Sequence, residues 1–165
     1  MSASAEQFAE ALLQLLIKQN MVIATAESCT GGWVAKILTD IAGSSSAFDR
    51  GYVTYSNTAK IEMLGVSTET LEKNGAVSEA TAAEMATGVV NLSQADIAVS
   101  ITGIAGPSGG SDEKPVGTVC FGWATLEGDI RTETMYFDGD RNAIRLQSVQ
   151  YCLQKAIEII QARRY

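Results

Sequence analysis

The sequence predicts an α/β protein, a three-layer α/β/α sandwich with a mixed sheet. Three features of the chain point there. Segments with helical spacing alternate with short β-branched runs. Two of those runs are separated only by Glu127-Gly128-Asp129, a hairpin signal that adds an antiparallel pair to strands otherwise joined through helices. Both ends of the chain read as amphipathic helix. With 165 residues, 46% of them hydrophobic, and no repeat, linker or low-complexity stretch, residues 1–165 read as one domain around a continuous core.

Residues 4–19 place Phe8, Leu12, Leu15 and Leu16 at helical intervals, with Glu6, Gln7, Glu10, Gln14 and Lys18 mostly opposite. Met21 to Ala26 is rich in β-branched and small apolar residues and reads as a strand. It breaks into Glu27-Ser28-Cys29-Thr30-Gly31-Gly32 before a helix from Trp33 to Ile41. Phe48 to Tyr55 alternates like a second strand, and Asn57 to Leu64 reads as a short helix capped by Ser56 and ended by Gly65. Ser78 caps an alanine-rich helix that runs to Leu92, and Asp96 to Thr102 is a buried strand. Gly103 to Pro115 is the one long loop. Val116 to Leu126 and Ile130 to Asp138 form the hairpin, and Asp140 caps a last helix that turns Ile144, Val149, Leu153, Ile157 and Ile160 inward.

Composition excludes several classes of function. Twelve Lys+Arg against 19 Asp+Glu give a formal net charge of −7, which rules against a general nucleic-acid or anionic-membrane surface and leaves room for a local anion pocket. The apolar run Ala11 to Ile17 is far short of the roughly 20 residues of a membrane span, and no signal peptide is recognisable. Cys29, Cys120 and Cys152 show no CxxC spacing, which fits a reducing cytoplasm. The chain has no histidine, so imidazole-based triads and histidine metal sites are excluded.

Acid–base chemistry must then use other groups. The turn at Ser28 offers a hydroxyl, two glycines and the amides of a new helix, a combination suited to an anion or oxyanion; its plainer reading is that Ser28 or Thr30 caps the helix. Lys60, five residues after Tyr55, is a candidate base for a serine, provided that burial lowers its pKa; otherwise it is a surface cation. Ser56 competes with Ser28 as nucleophile but sits where a helix cap is needed. Cys29 competes too, since a helix start can lower a thiol pKa, although a small buried thiol is the simpler reading. The loop after Thr102 is neither GxGxxG in a dinucleotide context nor GxxxxGK[ST], so NAD or ATP binding is poorly supported. Arg141 and Arg145 share a face of the last helix and suit a phosphate or carboxylate.

Five strings occur in order: Thr25-Ala26-Glu27-Ser28-Cys29-Thr30-Gly31-Gly32, Gly51-Tyr52-Val53-Thr54-Tyr55-Ser56-Asn57 with Lys60, Ile101-Thr102-Gly103-Ile104-Ala105-Gly106-Pro107, Lys114-Pro115-Val116-Gly117-Thr118 and Gly139-Asp140-Arg141. Through them the chain resembles the bacterial CinA C-terminal-domain family along nearly its whole length. The resemblance implies a cytoplasmic, homodimeric amidase, without metal or cofactor, that converts nicotinamide mononucleotide to nicotinic acid mononucleotide and ammonia in pyridine-nucleotide recycling. It implies Ser28 as nucleophile, with Lys60 and Tyr55 as proton-transfer partners. Gly31 and Gly32 are expected around the oxyanion, Thr30 among the substrate contacts, Thr102, Gly103 and Gly106 as site walls, and Arg141 or Arg145 on the anion. Two other readings keep the same pocket: a nucleotide-binding or dimerisation module without turnover, and an amidase for another small nucleotide.

Overall fold

The computed structural model describes residues 3–163; Met1, Ser2, Arg164 and Tyr165 of the expected unit lie outside the described residues. Strands β1 (Ile23–Glu27), β2 (Phe48–Val53), β3 (Ile97–Gly103), β4 (Thr118–Thr125) and β5 (Ile130–Tyr136) form one sheet in the order β2-β1-β3-β4-β5. β1 pairs in parallel with both β2 and β3, while β4 and β5 run antiparallel, as expected of a mixed sheet. All five residues of β1 are buried, which is what a strand covered on both faces requires.

Helices α1 (Ala5–Gln19), α2 (Trp33–Thr39) and α6 (Arg141–Ala162) pack on one face. Helices α3 (Asn57–Leu64), α4 (Thr68–Asn74) and α5 (Glu79–Leu92) pack on the other. α1 buries Ala5, Ala9, Leu12, Leu13 and Leu16 and starts in a capping box between Ser4 and Gln7. α6 buries Ile144, Val149, Leu153 and Ile160 as its periodicity predicts. Phe121 and Trp123 of β4 stack at 5.6 Å and meet Tyr151 of α6, fixing that helix to the sheet.

Most strand and helix ends shift by one or two residues from expectation, two of them at the site, and one helix is new. β1 runs on through Glu27, because the carboxylate finds donors inside the protein. β2 stops at Val53, and Thr54 and Tyr55 leave the strand. α4 was not anticipated: Thr68–Asn74 is short and mostly polar, buries Leu71, and starts with Ser67 accepting from the Thr70 amide. It leads into the segment around Ala76 and Val77 that reaches the cavity described below.

α5 crosses α3 closely at Gly88, where a Cβ would lie 2.2 Å from the Leu64 carbonyl oxygen. In an isolated helix Gly→Ala is favourable by about 1 kcal/mol. Here the clash is with backbone, so Gly88→Ala is expected to destabilise by about 1–3 kcal/mol. Urea midpoints of the two proteins check this; a variant as stable as the parent contradicts the close approach.

Candidate active site

The chain passes from β1 to β2 on one side and later to β3 on the other, so the carboxyl ends of three parallel strands meet at a switch in strand order. Crevices at such points are where open α/β sheets bind ligands. Ser28 follows β1 directly, Thr54 and Tyr55 follow β2, and Thr102 and Gly103 end β3.

The turn that carries Ser28 depends on Gly31 and Gly32, whose φ angles of +60° and +99° lie in the left-handed region. The Gly31 amide donates to the Ser28 carbonyl at 3.0 Å and closes the turn. Beneath it the buried Glu27 carboxylate accepts from Thr30 Oγ1 at 2.7 Å, the Val34 amide at 2.8 Å and the Ala35 amide at 3.1 Å. From α6, Arg145 donates to the carbonyls of Cys29 at 3.0 Å and Thr30 at 3.1 Å, and its guanidinium lies 5.4 Å over the Trp33 ring. Burial pushes the Glu27 carboxyl above its ordinary 4.5, against the opposing pull of the Val34, Thr30, Ala35 and Gly32 donors.

These contacts revise several expectations. α2 has Gly32 at its cap position with no side-chain cap, and Glu27 takes the first amides, so neither Ser28 nor Thr30 caps the helix. The Gly31 amide is spent on the Ser28 carbonyl, so it is not directed at an oxyanion. Thr30, Gly31, Gly32 and Arg145 lie on the back of the turn, beside a separate open hollow with Trp33 and Lys36.

Lys60, on the buried side of α3, is 1% exposed. Its Nζ lies 3.0 Å from Ser28 Oγ, 2.9 Å from the Thr54 carbonyl and 3.1 Å from that of Tyr55. No acidic side chain pairs with it among the described residues. Desolvation pulls its pKa below the ordinary 10.5, with Cys29 acting weakly the other way. An ammonium here donates all three hydrogens, one of them to Ser28 Oγ, while the serine hydroxyl donates to the Tyr55 carbonyl at 3.3 Å. A neutral amine spends two hydrogens on the two carbonyls and turns its lone pair to the serine. Ser56 accepts from the Ala59 amide at 3.0 Å as the cap of α3. Burial pushes the Cys29 thiol up to about 12, so it is no thiolate at neutral pH.

Ser28 and Lys60 open into a cavity of about 330 Å³ shared with Tyr55, Thr102, Gly103, Gly106 and Arg141. Thr102 donates to the Ala76 carbonyl at 2.8 Å and so holds the far wall. Gly106 packs on the loop itself, since a Cβ would fall 2.5 Å from Val116 Cγ1. Arg141 donates to the Gly106 carbonyl at 2.8 Å and to the Tyr55 hydroxyl at 3.2 Å. The Tyr55 phenol therefore rests on Arg141 at the mouth, and it is the main-chain carbonyl of Tyr55 that meets Ser28 and Lys60. Of the two arginines, Arg141 lines the cavity and Arg145 does not. Sequence reasoning gave Glu27 no role, although a lone acid closing a buried strand just before a helix is a readable signal.

An α/β sheet with a buried serine–lysine pair at its strand-switch crevice defines the class of protein. The chain belongs to the CinA C-terminal domain family, whose model matches residues 5–160, as the five sequence strings imply. It is 57% identical over 148 residues to the nicotinamide-nucleotide amidohydrolase PncC of Escherichia coli K12, covering 90% of each chain. The crystal structure of the competence/damage inducible protein CihA from Agrobacterium tumefaciens is 47% identical, with a TM-score of 0.92 over 96% of this chain and 99% of that one. A CinA superfamily protein from Klebsiella pneumoniae is 40% identical, with a TM-score of 0.94 over 98% of this chain and 100% of that one.

Because the folded Glu27 carboxyl binds its proton more tightly than the unfolded one, stability falls as pH rises from 4.5 through the raised folded pKa. Glu27→Gln removes that titration. Unfolding free energies measured across this range are expected to show the parent losing stability relative to the variant with rising pH; parallel curves contradict the buried carboxylate.

Proposed function

We propose that this chain hydrolyses the carboxamide of nicotinamide mononucleotide, releasing nicotinic acid mononucleotide and ammonia, as a cytoplasmic homodimer in pyridine-nucleotide recycling. The observation that carries the chemistry is the Lys60 amine, held by two main-chain carbonyls and 3.0 Å from Ser28 Oγ. The substrate is suggested by the amidohydrolase named above. The compartment fits three free, buried thiols among the described residues.

In this reading neutral Lys60 takes the Ser28 proton as Oγ bonds to the amide carbon. The resulting ammonium stands beside the new oxyanion and stabilises it electrostatically. The carbon–nitrogen bond breaks as the Lys60 ammonium gives its proton to the departing nitrogen, which leaves as ammonia, and Ser28 keeps the nicotinoyl group as an ester. Water adds to that ester, its proton passing back through Lys60 as Oγ departs protonated, and the product leaves as a carboxylate. Arg141 at the mouth takes the phosphate, while Ala76, Val77 and Ile104 offer an apolar wall to the pyridine ring.

Ammonia release from the mononucleotide tests the reading. Ser28→Ala is expected to fall to background, and Lys60→Met to lose about 10²–10⁴-fold in kcat while still binding substrate in calorimetry. Near-normal turnover by Ser28→Ala removes it as nucleophile. Binding without ammonia from the parent protein supports a silent module, and preference for another amide in a nucleotide panel changes the substrate.

Only the neutral amine accepts the serine proton, so kcat/KM should rise with pH through a group titrating below 10.5 and be lost as pH falls through that lowered pKa. An activity profile flat across that limb contradicts Lys60 as base. Sedimentation at twice the 17.5 kDa chain mass is expected for the homodimer; a monomer removes that part of the reading.

A further inference from the structure

We propose that Arg141 and Tyr55 form a latch that the substrate's phosphate opens: the anion takes the guanidinium from the phenol, and the released Tyr55 side chain turns onto the reacting carboxamide. This rests on the reading of the substrate as a phosphate monoester that carries a carboxamide. It explains why a residue expected in proton transfer is seen with its phenol on an arginine.

The two ends of Tyr55 are held differently. Its carbonyl is pinned inside by Lys60 Nζ at 3.1 Å and Ser28 Oγ at 3.3 Å. The residue is 61% exposed at the cavity mouth, and its hydroxyl accepts a hydrogen bond from Arg141 Nη2 at 3.2 Å. Side chains change rotamer without moving the backbone. Loss of that one hydrogen bond frees the ring to swing about a fixed anchor beside the reactive pair.

Arg141 is poised to give it up. Both partners shown for its guanidinium are neutral, the Gly106 carbonyl and the Tyr55 hydroxyl, and no ion pair to it occurs among the described residues. The neighbouring Asp140 is occupied in accepting from the Ala143 amide at 2.8 Å. Arg141 is also the first residue of α6, where the positive end of the helix dipole opposes a cation. A phosphate adds a full opposite charge and a bidentate fit to the guanidinium fork, neither of which a phenol or carbonyl oxygen offers. The Nη2 hydrogens therefore pass to phosphate while Nη1 keeps Gly106, and the phenol is released. Phosphate binding is in this way converted into a change at the other end of the cavity, which raises kcat as well as affinity.

Nicotinamide riboside, which carries the carboxamide and no phosphate, separates the two effects. Ammonia release from it by the parent protein is measured with and without phosphite dianion in solution. The latch predicts saturable activation by phosphite, about tenfold or more in kcat for the riboside. Arg141→Ala is expected to abolish the activation, and Tyr55→Phe to bind phosphite without being activated. Several results overturn the latch: phosphite without effect or acting only as a competitor, riboside turnover undetectable throughout, full activation in Tyr55→Phe, or riboside and mononucleotide differing in KM alone. Turnover of the mononucleotide itself is a separate measurement, so the latch can fail while the amidase reading stands.

Discussion

A primary amine buried without a carboxylate partner is the constraint on which the rest of the site turns. An acid beside Lys60 would lock it as an ammonium, with no lone pair for a serine. The fold supplies two main-chain carbonyls instead, from Thr54 and Tyr55, which satisfy the amine and leave its charge uncompensated. Those carbonyls are free because β2 ends at Val53; the Thr54 amide still donates to the Glu27 carbonyl at 2.9 Å, and the chain then turns toward α3.

The same economy governs the nucleophile turn. Two left-handed glycines give it a shape that few other residues adopt, and charges of opposite sign hold it from opposite sides. Glu27 collects its hydroxyl and amide donors from below, and Arg145 collects its carbonyls from above. Each backbone group of the turn that finds a partner inside the protein is one fewer group available to a ligand. That is why the Gly31 amide, attractive as an oxyanion donor in the sequence, is not free for that role.

The sheet and five of its six helices were legible in the sequence, because periodicity, caps and the Gly128 hairpin all act locally. α4 was hidden, since a seven-residue polar helix with Leu71 as its one buried side chain has almost no periodic signal. The encounter of Ser28 with Lys60 was approachable through the missing histidine and the motif strings; its three-dimensional reason, the meeting of β1 and β2 at their carboxyl ends, was not. The choice between Arg141 and Arg145 was beyond reach. The two residues are a helical turn apart, and which one faces the cavity follows from how α6 lies on the sheet, a property of packing rather than of spacing.

α6 follows every strand of the sheet, and it contributes both Arg141 at the mouth and Arg145 behind the nucleophile. A polypeptide that ends before residue 140 carries the hydroxyl and the amine, yet neither the clasp on the turn nor the cation at the entrance. Completion of the site thus waits on α6 to be synthesised and packed, and the finished arrangement is a record of that helix having docked on the strands before it.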